Sequence, residues 1–228
     1  MIISGLQKLT LSDYPSKMSA IIFTQGCNFN CSYCHNSSLI NKKNESLIPE
    51  DEVLEFLKKR KNILDGLVIS GGEPTIQKDL EQFIIKVKAL GYAVKLDTNG
   101  SNPLVIKKLI DKNLIDYIAM DVKNVFEDYD KVIKKKFDIN KIKESIEIIK
   151  NSGISCEFRI TIIKNYHNIK NITKICDYLG KNVKIYLQNF EDSQDVKDKT
   201  LESFDKKELI EIQKIINNKS SNVIVRGL

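Results

Sequence analysis

The 228-residue sequence predicts an α/β protein whose parallel strands form a partial, open (β/α)6 TIM-like barrel with a short N-terminal β extension. Three observations carry this. Compact apolar runs alternate with amphipathic segments along most of the chain, and such runs between helices are parallel strands covered by them. Six strand–helix units precede a terminal strand, which fits an incomplete barrel better than the eight units of a closed one. The residues of chemical rather than packing character fall just after the runs, where parallel sheets place their ligands. A doubly wound sheet would give the same alternation, and periodicity alone does not separate the two.

Ile2 to Leu11 holds short β-prone pieces and ends in the turn signal Asp13-Tyr14-Pro15-Ser16, a hairpin or extended lead-in. Residues 1–17 are thus expected as an N-terminal extension and 18–228 as the barrel of a single domain. Ser19–Thr24 is a buried strand that delivers the chain into a cysteine-rich loop. Pro49-Glu50-Asp51-Glu52 opens a helix, with Pro near its start and acids in its first turn, and Val53, Leu54, Leu57, Ile63 and Leu64 give it an apolar face. Strands follow at 66–70, 92–97, 117–122, 155–163, 183–189 and 223–225, with helices at 79–90, 103–112, 140–151, 168–179 and 205–217 between them. The stretch after the 117–122 strand reads as a charged excursion as far as Lys136.

Composition narrows the class. The apolar fraction of 42% is ordinary for a globular protein, and the start of the chain lacks the basic and apolar pattern of a signal peptide. No window approaches the ~18 apolar residues of a membrane span, so a cytoplasmic protein without a membrane partner is expected. The net charge of +6 comes from lysines interleaved with Glu and Asp rather than from a patch, which argues against nucleic acid. Lys134-Lys135-Lys136, the one dense run, is expected as a solvated helix face. Five cysteines, three of them clustered, suit metal-binding thiolates in a reducing compartment better than disulfides. Cys156 and Cys176 stand alone in apolar segments and are expected as small core residues.

The clustered three are Cys27, Cys31 and Cys34, spaced C-x3-C-x2-C, with Tyr33 before the last and His35 after it. Three thiolates on a 4Fe–4S cube leave one iron without a protein ligand, and a molecule bearing an amine and a carboxylate can close that coordination. A closed Cys3His zinc site is the structural alternative, although His35 adjoins Cys34 and would strain to share one ion with it. The later strand ends add Gly71-Gly72-Glu73-Pro74, Asp97-Thr98-Asn99-Gly100, Asp121 and Lys123. Plain readings exist here too: Asp97 as a turn residue, Lys123 as a surface charge.

The cysteine spacing, the aromatic before the last cysteine and the Gly-Gly-Glu-Pro at the next strand end resemble the radical S-adenosylmethionine enzymes. The resemblance implies an oxidoreductase with a 4Fe–4S cluster on Cys27, Cys31 and Cys34. Its open iron would chelate S-adenosylmethionine, and reductive cleavage would leave a 5′-deoxyadenosyl radical. It implies that Gly71 and Gly72 let backbone approach the methionine, that Glu73 accepts from its amine, that Tyr33 lies near the adenine, and that His35 belongs to the cofactor-binding set. Lys123, with Arg159 as a weaker candidate, would pair with the methionine carboxylate. Asn99 belongs to the same cofactor-binding set, and Asp97 and Asp121 could hold a monovalent cation.

Further likeness runs through Gly5-Leu6-Gln7-Lys8-Leu9-Thr10-Leu11, Asp13-Tyr14-Pro15, Gln25-Gly26-Cys27-Asn28-Phe29, Cys34-His35-Asn36 and Met120-Asp121-Val122-Lys123. These resemble the glycyl-radical-enzyme activating enzymes, specifically the anaerobic ribonucleoside-triphosphate reductase activating group. Ser16 stands where that group has Gly, and the strand carrying Arg159 matches its adenine-contacting pattern only loosely. The resemblance implies hydrogen abstraction from a glycine Cα of a partner glycyl radical enzyme. It also implies a flavodoxin- or ferredoxin-type electron donor. The other readings are a radical enzyme acting on a small molecule, of the modified-nucleobase type, and a structural zinc-binding interaction module.

Overall fold

The structure is a computed structural model that describes residues 1–41, 46–217 and 223–226. Eight strands form one sheet in the order of the sequence. β1 (Ile3–Thr10) runs antiparallel to β2 (Ser19–Thr24). Past α1 (Ser38–Asn41) and α2 (Glu50–Lys59), β3 (Gly66–Gly71) lies parallel to β2, with Ser19 opposite Gly66 and Thr24 opposite Gly71. The alternation continues through α3 (Leu80–Ala89), β4 (Ala93–Thr98), α4 (Pro103–Asp111) and β5 (Tyr117–Asp121). It then passes α5 (Tyr129–Ile133), α6 (Ile139–Asn151), β6 (Ser155–Ile162), α7 (Ile169–Leu179), β7 (Lys184–Asn189), α8 (Lys206–Asn217) and β8 (Val223–Arg226). Every pairing from β2 to β8 is parallel, and β1 and β8 are the two edges.

Period-two alternation divides each strand between two environments. Ile22, Leu67, Ile69, Val94, Leu96, Ile118, Met120, Phe158 and Ile160 are fully buried beneath the helices. Their sequence neighbours Ile21, Val68, Lys95, Tyr117, Glu157 and Arg159 face the concave side. That side is curved enough for Gln7 of β1 and Gln188 of β7 to wall the same cavity. The sheet is therefore an open, incomplete barrel rather than a flat doubly wound one.

The turn at Asp13–Ser16 closes the bottom of the concave side. Tyr14 packs with Ile21, Val68 and Tyr117 in a small apolar cluster separate from the main core, its ring centroid 5.9 Å from that of Tyr117. Lys95 Nζ donates to the Asp13 carbonyl at 2.6 Å, tying the turn to β4. The lead-in is thus one extended edge strand, paired antiparallel with β2, and a floor turn between them.

Three further expectations are corrected. α2 ends at Lys59, so Ile63 lies in the following turn, 48% exposed, while Leu64 beyond it is buried. The charged excursion after β5 contains α5, whose Tyr129, Val132 and Ile133 are fully buried; the apolar signal is only one turn long and flanked by charge. Lys134 takes a left-handed backbone (φ 52°) that ends α5, so the lysine run is not a helix face. Cys176 is buried on α7 and Cys156 half-buried on β6, and neither lines the concave cavity.

Ser16 also sits in the left-handed region, at φ 61°. A Cβ there costs about 1–2 kcal/mol, partly offset by the entropy glycine loses on folding. Ser16→Gly is expected to raise unfolding stability by about 0.5–1 kcal/mol, seen as a higher urea midpoint at unchanged slope; an unchanged or lower midpoint would refute the strain argument.

Candidate active site

One cavity of about 480 Å3 occupies the carboxyl ends of the strands. It is lined by Cys27, Cys31, Tyr33, Cys34, His35, Gly71, Gly72, Glu73, Asp97, Asn99, Asp121, Lys123 and Arg159 among others. Each candidate residue named from the sequence is therefore at this mouth. What each does there differs from expectation in several cases.

The cysteine loop leaves β2 through Gly26 and is pinned at Phe29, whose buried ring meets Phe137 edge-on at 5.0 Å, and at Asn30, whose N–H donates to the Ile133 carbonyl at 3.0 Å. Burial pushes the Cys27 thiol up to about 12 and the Cys31 thiol up to about 11. Thiols this hard to ionise in a dry wall become thiolates when a metal displaces their protons. The Phe29 N–H approaches Cys27 Sγ at 3.4 Å and Asn99 Nδ2 approaches it at 3.8 Å.

Gly71 and Gly72 serve packing more than access. Gly71 has φ +114°, and a Cβ on it would collide with the backbone of Thr24, as one on Gly72 would with the carbonyl of Gly26. Gly72 N–H donates to the Thr24 carbonyl and Glu73 N–H to the Gly26 carbonyl, both at 2.8 Å. The two glycines thus let the β3 end lie flush against the root of the cysteine loop. Glu73, fully buried, accepts from Thr75 N at 3.0 Å, Thr75 Oγ1 at 2.6 Å and Thr98 Oγ1 at 2.7 Å through Oε1, and from Asn99 N at 2.6 Å through Oε2. Burial raises its pKa against the pull of these donors. Its carboxylate braces the β3 and β4 ends, leaving Oε2 with spare accepting capacity. Asn99 extends the brace, donating to Asn28 Oδ1 at 3.0 Å and accepting from Ser101 N at 2.9 Å.

A ladder of ion pairs crosses the concave face. Lys123 Nζ meets Asp121 at 3.0 Å, Arg159 Nε meets Asp121 at 2.8 Å, and Arg159 Nη1 meets Asp97 at 3.2 Å. Lys95 then pairs with Asp97 at 3.0 Å and Glu157 at 3.8 Å, and Tyr117 donates to Glu157 at 2.9 Å. Burial would raise the Asp121 carboxyl, but Arg159 and Lys123 outweigh it and hold it at about 2. Asp97 and Asp121, expected to hold a small cation, are instead matched by the protein's own cations. Lys123 keeps a face toward the cavity, its ammonium 5.7 Å from the Tyr33 ring centre.

The backbone of Lys123 is held on both sides by residues the sequence reading passed over. Its N–H donates to Tyr129 Oη at 3.2 Å, and its carbonyl lies 3.1 Å from His167 Nε2. His167 Nδ1 accepts from the Ile163 N–H at 3.2 Å, so the proton sits on Nε2 and is donated to Lys123. Burial holds His167 at about 4, against its two backbone partners. The available signal was weak: one His four residues beyond an expected strand, with no partner evident in the sequence.

The donor set fits an iron–sulfur cluster rather than a single ion. Three sulfurs come from one loop, no fourth cysteine lines the cavity, and among the described residues no three His, Cys, Asp or Glu side chains gather closely enough for one metal. His35, the fourth donor of a zinc site, is exposed, its ring 6.1 Å from that of Phe190. The buried Tyr33 hydroxyl has no partner among the described residues, an unmet polar group in the cavity wall. A volume of about 480 Å3 is in the range of small-molecule sites.

Two outcomes are expected of the scaffold. Lys95→Met should cost about 3–5 kcal/mol in chemical denaturation by stranding Asp97 and Glu157, and a loss under 1 kcal/mol would show the lower ladder to be idle. His167→Gln should flatten an acid slope. The folded pKa of His167 lies below the unfolded value of 6.5, so the unfolded chain takes up the proton first and stability falls as pH drops from about 6.5 to about 4. The fall is on the order of 3 kcal/mol in the wild type, read from urea unfolding at pH 7 and pH 4.5; an equal slope in the variant would rule out His167 as its source.

Comparison with known proteins agrees with this geometry. A model of the Radical SAM superfamily matches residues 21–179. A protein of Methanocaldococcus jannaschii, provisionally named a glycyl-radical enzyme activating enzyme, is 37% identical across 100% of this chain and 96% of its own. The pyruvate formate-lyase-activating enzyme of Clostridium pasteurianum is 28% identical across 80% of this chain and 77% of its own. Among solved structures, Streptococcus suis SuiB bound to S-adenosylmethionine superposes with a TM-score of 0.71 over 89% of this chain and 48% of that longer one. At 16% identity this last is a likeness of fold. No helix among the described residues is long and apolar enough to cross a membrane. The chain belongs to the radical SAM superfamily and, within it, groups with the glycyl-radical enzyme activating enzymes.

Proposed function

We propose that the chain generates a glycyl radical on a partner enzyme, an anaerobic ribonucleoside-triphosphate reductase. The observation that carries this reading is the placement of the three cysteines and the strand-end polar residues around one cavity whose wall stops at the unjoined edges β1 and β8. A loop of another protein can reach such a site from outside. The end-to-end similarity to the M. jannaschii protein supports the activating role, and the motifs shared with the reductase-activating group favour the reductase as target.

In this reading Cys27, Cys31 and Cys34 hold a 4Fe–4S cluster. When bound, the cluster and S-adenosylmethionine supply one-electron chemistry that ends in hydrogen-atom abstraction. The protein's own residues bind and orient. Lys123, fixed by Tyr129 and His167, presents an ammonium to the methionine carboxylate as a point charge. Glu73 offers its spare lone pair to the amine while keeping the β3 and β4 ends together. Tyr33 and His35 flank the adenine side, and Asn99 steadies Cys27. Arg159, engaged by two carboxylates, orients Asp121 and Asp97 rather than meeting the cofactor directly. The apolar wall of Ile21, Phe23 and Phe29 excludes water from the reacting groups.

The deciding experiment combines anaerobically reconstituted, reduced protein with S-adenosylmethionine and the reductase. A glycyl doublet in electron spin resonance is expected, with 5′-deoxyadenosine formed in parallel. Cofactor cleavage without a doublet from any glycyl radical enzyme would sink the proposal in favour of a small-molecule substrate. Alanine at Cys27, Cys31 or Cys34 should abolish both signals and the absorbance near 400 nm. Cys156→Ala should keep the cluster; equal iron loss there would refute the ligand assignment.

A further inference from the structure

We infer that a second cavity, behind the reaction cavity and separate from it, binds a small neutral aromatic molecule carrying one hydrogen-bond acceptor, of the aryl ketone type. The inference goes beyond the radical reading and does not depend on it.

The two cavities part at Lys123. Lys123 lines the reaction cavity, whereas its neighbours Val122 and Asn124 line the other one, and the two share no lining residue. The second cavity, of about 240 Å3, lies between the turn after β5 and the C-terminal half of α7. Val122, Val125, Ile175 and Leu179 give it a buried apolar interior. Phe126 and Tyr178 give it an aromatic wall, their ring centres 4.7 Å apart and their planes at 82°. An apolar cavity of about 150 Å3 stays dry and takes up benzene, so this one has room for a ring with a short substituent. A third ring can extend the edge-to-face packing of the wall.

Asn124 sets the chemistry of the substituent. It is 1% exposed, and its Oδ1 accepts from the Val125 N–H at 2.8 Å. Its Nδ2 reaches only the Asp128 carbonyl, at 3.5 Å, the outer limit of a hydrogen bond. A carboxamide nitrogen carries two hydrogens, and the second has no partner among the described residues. A buried donor left in this state costs free energy that an acceptor on the ligand recovers. The one charged residue in the lining, Lys174, is spent on Glu127 at 2.8 Å, so a charged ligand would lose its water without gaining that counter-ion. The same ion pair ties α7 to the turn that carries Phe126. A side chain presented on a protein surface would have to displace it, which favours a free small molecule as occupant.

The test titrates acetophenone into the full-length reconstituted protein, followed by calorimetry and by nitrogen-edited NMR of the side-chain amides. One saturable site is expected, with the Asn124 amide protons moving downfield. Ethylbenzene, of similar shape but without the acceptor, should bind about fivefold more weakly and without that shift. Benzoate, the anion that Lys143 at 5.0 Å from the Phe126 ring centre could draw, should bind more weakly still. Saturating S-adenosylmethionine should leave the acetophenone affinity unchanged. Ile175→Phe, which fills the interior, should abolish acetophenone binding while S-adenosylmethionine binding persists; if that variant fails to fold, Val125→Phe serves in its place. Absence of saturable acetophenone binding overturns the inference. So does equal affinity for ethylbenzene, tighter binding of benzoate, competition by S-adenosylmethionine, or binding that survives in the filled variant. A dimer of the protein that acetophenone dissociates also overturns it, by giving the cavity to a side chain of a second copy. Failure of S-adenosylmethionine to bind the wild type would instead count against the proposed function.

Discussion

The ladder Lys123–Asp121–Arg159–Asp97–Lys95–Glu157 is the constraint on which the concave face depends. Three cations and three anions are taken out of water across β4, β5 and β6, and each finds an opposite neighbour. Desolvating one such charge alone costs several kcal/mol, so no member can be changed without stranding another. The ladder also fixes geometry. It aligns the ends of the three strands in register, and it delivers one ammonium, that of Lys123, to the cavity while its lower end reaches the floor turn through Lys95.

Much of this was legible in the sequence because apolar periodicity and motif spacing are local. The strand runs, the cysteine spacing and the strand-end residues could be placed without contacts. The roles of those residues could not, because they depend on what lies across the sheet. Gly71 and Gly72 read as access for a ligand, yet the atoms a Cβ would strike belong to Thr24 and Gly26, about 45 residues earlier. Asp97 and Asp121 read as cation ligands because Arg159 sits on another strand and Lys95 appears as an ordinary strand charge. Lys95 in particular looks like a polar interruption of a strand until the register puts it on the concave side.

His167 and Tyr129 illustrate the same limit at one remove. Neither lies in a motif, and both act on the backbone of Lys123. Side chains that grip backbone leave no compositional trace, since the gripped residue can be of any type. The short α5 that carries Tyr129 was hidden for a related reason: five residues are too few to show helical periodicity.

The floor made by Tyr14, Ile21, Val68 and Tyr117 closes the end of the concave side away from the cysteine loop. Under the proposed function, small molecules and a visiting polypeptide would both use the mouth at the strand ends. A polypeptide seated across the mouth would imprison whatever is already inside, and bar whatever is not. Under the proposed function such a seat would order the traffic: the cofactor would enter before the visitor, and its fragments would leave after it.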